Sequence, residues 1–100
     1  MKIVAVTSCP IGAAHTYMAA AALEKGAGKT GNEIKVETQG SIGFKKKLQP
    51  DEIAAADAVI LACDVACLEI ERFDGKRIIE VSTKKCIKDP VGVIESIAKI

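Results

Sequence analysis

A cysteine at position 9, followed by Pro10, Gly12 and His15, is where residue types and spacing in this chain suit covalent chemistry. In the stretch VTSCPIGAAHTYMAA, residues 6–20, Cys9 closes an apolar run and precedes a helix-forming series of small residues. The first N–H groups of a helix have no partners inside it and carry roughly half a positive charge, so such a turn can hold an anion. Gly12 lets the backbone approach a ligand, and Ala13 and Ala14 leave the entrance uncrowded. The same field lowers a thiol pKa from about 8.5, in favourable cases to between 3.5 and 7.5. Cys9 is therefore expected to be a stabilised thiolate facing a phosphate seat, and a nucleophile so placed can become a phosphocysteine. A free cysteine is otherwise often a small buried hydrophobe. Cys9 ends its apolar run instead of sitting within it, which favours the reactive reading.

His15, the single histidine of the chain, falls on the expected first helical turn, where it can donate to a bound phosphate or steady the thiolate. Thr16 adds a hydroxyl beside it. The spacing also excludes a chemistry. Low-molecular-weight tyrosine phosphatases use a cysteine, five residues and an arginine, whose guanidinium clamps the phosphoryl oxygens during hydrolysis. Here His15 takes that arginine's slot, and the arginines are Arg72 and Arg77, far along the chain. Without the bidentate clamp the loop is poor at driving hydrolysis and better suited to passing the group on.

One hundred residues suit a single domain, spanning 1–100, and a composition of 49% hydrophobic and 27% charged residues is that of an ordinary globular protein. A formal charge of +1 with dispersed lysines gives no sign of nucleic-acid binding, and Lys45, Lys46 and Lys47 read as a solvated loop. No segment approaches the about 20 apolar residues of a membrane span, and the start of the chain lacks the pattern of a signal peptide. A reducing cytosol is the expected setting, with the four cysteines as thiols and no cofactor.

The elements that must position Cys9 follow from hydrophobic periodicity. KIVAVT at 2–7 and AVILAC at 58–63 are continuous β-branched runs, as strands covered on both faces are. EIKVETQ at 33–39 alternates, with Ile34, Val36 and Thr38 on one side and Glu33, Lys35 and Glu37 on a wet one, which predicts a sheet edge. RIIEVS at 77–82 is the fourth strand. Helices are expected over 13–27, ending near Gly26 or Gly28, from Pro50 to Ala56, and from Pro90 with Asp89 as N-cap and a stripe of Val91, Ile94, Ile97 and Ala98. Residues 65–73 fit a short helix or a turn. Strands alternating with helices imply right-handed crossovers. The expected fold is α/β, a Rossmann-like three-layer sandwich with a four-stranded parallel sheet of order 2-1-3-4 and helices on both faces. Ligands bind such sheets outside the carboxyl ends of the strands, at the point where the order reverses. Cys9 falls there.

With these residues in place, the sequence resembles the fructose-family IIB component of the bacterial sugar phosphotransferase system. The likeness runs through Cys9-Pro10-x-Gly12-x-Ala14-His15-Thr16, Met18-Ala19-Ala20, VETQGSIG at 36–43, DEIAAADAVILACD at 51–64 and ERFDGK at 71–76, most of the chain in order. The resemblance implies a phosphocarrier domain of the expected fold. It implies that Cys9 takes a phosphoryl group from a phosphohistidine of the IIA component and passes it to sugar held by the membrane IIC component. Pro10, Ile11, Gly12, Ala13, Ala14, His15 and Thr16 become the phosphate loop, and Gly40, Ser41 and Asp64 lie at its rim. The protein would be cytoplasmic, peripheral to the inner membrane through IIC and not inserted in it. Ile11 stands where the family usually has threonine, so one hydroxyl contact to phosphate is absent. Gln49 likewise replaces a commoner threonine cap.

Cys63 and Cys67 form a C-x3-C pair and Cys86 stands apart, a set too sparse for zinc. Cys63, at a strand end, is either a packed thiol or near enough to Cys9 to pair with it under oxidation. This leaves an alternative of another class, a thiol redox or arsenate-reductase-like enzyme in which Cys63 or Cys67 resolves Cys9. The absent loop arginine weakens that alternative.

Overall fold

A computed structural model of the chain describes residues 1–8, 13–40, 43–64 and 67–98. Strand β1 (Lys2–Ser8) leads towards helix α1 (Ala13–Lys29), which is followed by strands β2 (Glu33–Gly40) and β3 (Gly43–Lys45). Helix α2 (Pro50–Ala55), strand β4 (Ala58–Cys63), a 3-10 turn (Ile70–Phe73), strand β5 (Ile78–Glu80) and helices α3 (Thr83–Lys88) and α4 (Pro90–Ala98) complete the order.

The strands form one sheet of order β3-β2-β1-β4-β5. The four expected strands stand in the expected sequence, all parallel, as β2, β1, β4 and β5. The sheet is nevertheless mixed and five-stranded, because β3 pairs antiparallel with β2 and takes its place at the edge. Gly40 pairs with Gly43 at the closed end of this hairpin, and Gly43 has φ +96, a backbone conformation natural to glycine. A strand as short as GFK has no periodicity to read, and only the turn-like QGSIG hinted at it.

Alternation along each strand divides the core into two layers. On one side Ile3, Ala5, Ala58, Ile60 and Val36 meet Ala19, Leu23 and Ala27 of α1, with Cys86 of α3 and Val93, Ile94 and Ile97 of α4. On the other, Val4, Val6, Val59 and Leu61 meet Leu48, Ile53 and Ala56 around α2 and Phe73 of the 3-10 turn. Full burial of one such large side chain contributes about 1.5–3 kcal/mol. The alanines of α1 let that helix lie close on the sheet.

Three helix expectations need correction. Helix α1 runs through Gly26 and Gly28 to Lys29, and the glycine with positive φ after it is Gly31, at φ +74. Gly26 serves packing instead: a Cβ there would come within 3.1 Å of Pro90, where α1 approaches α4. Helix α3 was not expected. Its signal is Ser82, whose side chain accepts the Lys85 N–H as an N-cap bond. Asp89 both ends α3 and opens α4, accepting the Gly92 N–H at 3.1 Å. The stripe of α4 buries Val93, Ile94 and Ile97, with Val91 only half-buried. At α2, the Glu52 carboxylate accepts the Gln49 N–H at 2.9 Å, so a side chain in the helix's first turn serves the glutamine at the cap position.

The two glycines of α1 separate packing from propensity. Nothing lies within 4 Å of a Cβ built on Gly28. Gly28→Ala should raise stability by up to about 1 kcal/mol, as alanine does in a helix. Gly26→Ala should lose that gain against Pro90, and urea unfolding midpoints of the two variants read the difference.

Candidate functional site

The carboxyl ends of β1, β2 and β4 converge on one edge of the sheet. Register places Ser8 beside Cys63 and Thr7 beside Thr38. The chain passes from Ser8, through residues 9–12, to Ala13 at the head of α1. Cys9, Pro10, Ile11 and Gly12 lie outside the described residues, as does Ser41. The elements on either side of them are well defined. Helix α1 has 17 residues and no acidic side chain in its first turn, so its positive end is not neutralised from within. Helix α2 differs, with Asp51 and Glu52 in its own first turn.

Ala13 and Ala14 open α1, followed by half-buried His15 and buried Thr16. Thr16, expected as part of the phosphate loop, is 3% exposed. Its carbonyl accepts a hydrogen bond from the buried Thr7 hydroxyl at 3.0 Å. This bond ties the end of β1 to the first turn of α1, on either side of the connection that contains Cys9. The signal for Thr7 in the sequence was a single polar residue ending the run KIVAVT.

Of the rim residues, Gly40 ends β2 and pairs with Gly43. Asp64 follows β4, its N–H donating to the Ser8 carbonyl at 2.9 Å. Its carboxylate accepts from the Thr83 N–H at 3.1 Å and the Thr83 hydroxyl at 2.6 Å, at the start of α3. Asp64 thus joins the end of β1 to the start of α3.

The wet face expected for β2 is covered at its carboxyl half. Glu37 is 0% exposed and Gln39 4%. Arg72 of the 3-10 turn grips the Glu37 carboxylate with two nitrogens, at 2.8 and 2.5 Å, and the Leu48 N–H adds a third donor at 2.9 Å. Gln39 donates to Glu37 at 2.9 Å, accepts the Leu68 N–H at 2.9 Å and donates to the Leu68 carbonyl at 3.2 Å. Burial raises the Glu37 pKa, but the Arg72, Gln39 and Leu48 donors outweigh it and hold the carboxyl below its ordinary value. Alternation alone cannot reveal this, because Arg72 lies 35 residues away in sequence. The network fixes residues 67–73 over the sheet beside the site.

The lysines of the 45–47 run are exposed but engaged. Lys45 lies over the Tyr17 ring, Lys46 reaches Glu24 at 3.9 Å and Lys47 reaches Glu69 at 3.1 Å. The cysteines depart from the expected set of thiols: Cys63 and Cys67 are joined in a disulfide, with Cα atoms 5.8 Å apart. Cys63 is therefore paired with Cys67 and not with Cys9. Cys86 is buried, and desolvation together with the Asp64 charge pushes its thiol up to about 12. Among the described residues no three His, Cys, Asp or Glu side chains gather as a metal site, and no helix is long and apolar enough to cross a membrane.

Residues 4–96 match the family described as the lactose/cellobiose-specific IIB subunit of the PTS system. The chain is 49% identical over 96 residues to the fructose-like EIIB component 2 of Escherichia coli, covering 96% of this chain and 91% of that protein. It is 52% identical over 94 residues to the fructose-specific EIIABC component of Bacillus subtilis, covering 94% of this chain but 15% of that longer protein. A domain of the fructose-specific IIABC component of Borrelia burgdorferi superposes with a TM-score of 0.92 at 49% identity, over 98% of this chain and 93% of that one.

The Glu37–Arg72 pair makes a pH-dependent prediction. A carboxyl held below 4.5 in the folded state contributes stability above that pH and loses it as pH falls through the lower folded value. Arg72→Leu should leave Glu37 buried without its cation and remove about 3–5 kcal/mol at pH 7. The difference from wild type should shrink on acidification towards pH 4, since the variant's carboxyl can then protonate. Urea unfolding at the two pH values measures both terms.

Proposed function

The chain belongs to the IIB family of the bacterial sugar phosphotransferase system, and on that premise we propose that Cys9 is its phosphoryl carrier. The donor is a phosphohistidine of a IIA component, and the acceptor is a sugar of fructose type held by a membrane IIC component. In the first step the Cys9 sulfur attacks phosphorus in line, an S–P bond forms, and the P–N bond to the donor imidazole breaks. In the second, a sugar hydroxyl oxygen attacks phosphorus, the P–S bond breaks and the thiolate is restored. The hydroxyl proton passes to a base outside this chain's loop.

The observation that carries this reading is where Cys9 falls: between the end of a central buried strand and a 17-residue helix with no acidic residue in its first turn. Amides at that end favour the thiolate and the negative oxygens of the transferring group. Residues 10–16 supply the cradle, with the Thr7–Thr16 bond and the Asp64–Thr83 bonds holding its two flanks. His15 in place of an arginine supports transfer over hydrolysis, and it weakens the arsenate-reductase-like alternative on the same ground. Ile11 removes a hydroxyl from the loop and offers an apolar contact to a partner.

The IIA and IIC partners are supported by the fused relatives, one named as joining B to C and another as joining B to both A and C, of which this chain spans 15% of the length. The working place that follows is the cytoplasmic face of the membrane, with attachment through IIC and none through this domain.

Incubation with phosphoenolpyruvate, the general relay proteins and a fructose-type IIA should add the mass of one phosphoryl group to the intact chain. Cys9→Ser should abolish that addition while leaving the circular dichroism unchanged. Phosphate retained by the serine variant, or none on the wild type with any IIA donor, would refute the carrier role.

A further inference from the structure

We propose that Cys63 and Cys67 are a reversible redox modification site whose substrate class is low-molecular-weight disulfides such as oxidised glutathione. The phosphoryl-carrier reading is not needed for this.

The two residues meet the geometry of a bridge, with Cα atoms 5.8 Å apart and a sequence separation of 4, and both are half-buried. Such a short ring removes little conformational freedom from the unfolded chain, since that effect grows with loop length. The flanks are already held by other bonds. Asp64 is fixed to the Ser8 carbonyl and to Thr83, and Leu68 is clamped in both directions by Gln39. Arg72 then anchors the following turn to Glu37. A bridge between segments so restrained is dispensable for folding, and what distinguishes it is that it can open and close with its partners still in place.

The remaining described thiol does not compete. Cys86 is fully buried on the other side of the sheet, and desolvation keeps it protonated. Cys63, by contrast, stands at the carboxyl end of β4 beside Ser8. Redox state is thus recorded one strand away from the residue that precedes Cys9.

The step balances as thiol–disulfide exchange. The thiolate of one cysteine attacks a sulfur of the small disulfide and expels one thiolate, leaving a mixed disulfide. The second cysteine displaces the other thiolate, and the Cys63–Cys67 bond forms. Two electrons pass from the pair to the small disulfide, and the two protons leave with the two thiols produced. Excess small thiol reverses each step.

Tryptic mapping separates the sites, because Cys63 and Cys67 lie together between Lys47 and Arg72, while Cys9 and Cys86 fall in other peptides. The whole chain would be equilibrated in glutathione buffers from fully reducing to fully oxidising, trapped by alkylation, digested and weighed. The expected result is reversible loss of two hydrogens from the 48–72 peptide, with unchanged circular dichroism in both states. Cys67→Ser should replace that loss by one glutathione on Cys63. The proposal is overturned if both thiols remain alkylatable in excess oxidised glutathione. A cross-link from Cys63 to the Cys9 peptide, or unfolding on reduction, would overturn it equally. None of these outcomes depends on phosphate transfer.

Discussion

The placement of β1 between two parallel neighbours is the constraint from which the rest of the molecule follows. Six of its seven residues are buried, and both its edges are occupied by hydrogen-bonded strands. A strand so enclosed must release its chain at the carboxyl edge of the sheet. The next element, α1, must cross back over one face to reach β2, as right-handed crossovers require. The strand order reverses at this same point, with β2 on one side of β1 and β4 on the other. The crevice, the head of the helix and the connection that contains Cys9 therefore coincide by topology. Their coincidence needs no further specification.

Around that junction the protein spends its polar groups on holding backbone. Thr7 reaches across to α1, Asp64 to α3, and Gln39 with Glu37 to the 67–73 segment. Each bond runs from a strand end to the element behind it. A loop proposed to carry a doubly charged group gains from flanks that do not reorganise as charge arrives. The thiols are divided in the same spirit. Cys86 is sealed in the core and Cys63 is paired with Cys67.

Much of this was readable in the residues. The parallel core, its order and the reversal of strand order beside β1 follow from two apolar runs, KIVAVT and AVILAC, and one glycine-containing turn. What escaped was set by contacts distant in sequence or by elements too short to show a period. Glu37 looked solvated because alternation says which face a side chain takes, and not what covers it. Its cover, Arg72, arrives from beyond β4. Strand β3 has three residues and α3 six, fewer than a pattern needs. Gly26 and Gly28 looked like helix ends because glycine usually marks them, whereas Gly26 is explained by the approach of Pro90. The Cys63–Cys67 bridge was hidden by the assumption that a reducing compartment decides pairing before geometry does.

The proposed carrier role requires an ionised Cys9, and the pH dependence of Cys9 alkylation tests that most directly. Iodoacetamide reaction would be followed on the Cys9 peptide across the pH range, with Ala-substituted Cys63 and Cys67 removing other accessible thiols. A midpoint well below the about 8.5 of a free cysteine is the predicted result. A midpoint at or above that value would mean that the amides of α1 do not act on this sulfur, and the carrier mechanism would lose its physical basis.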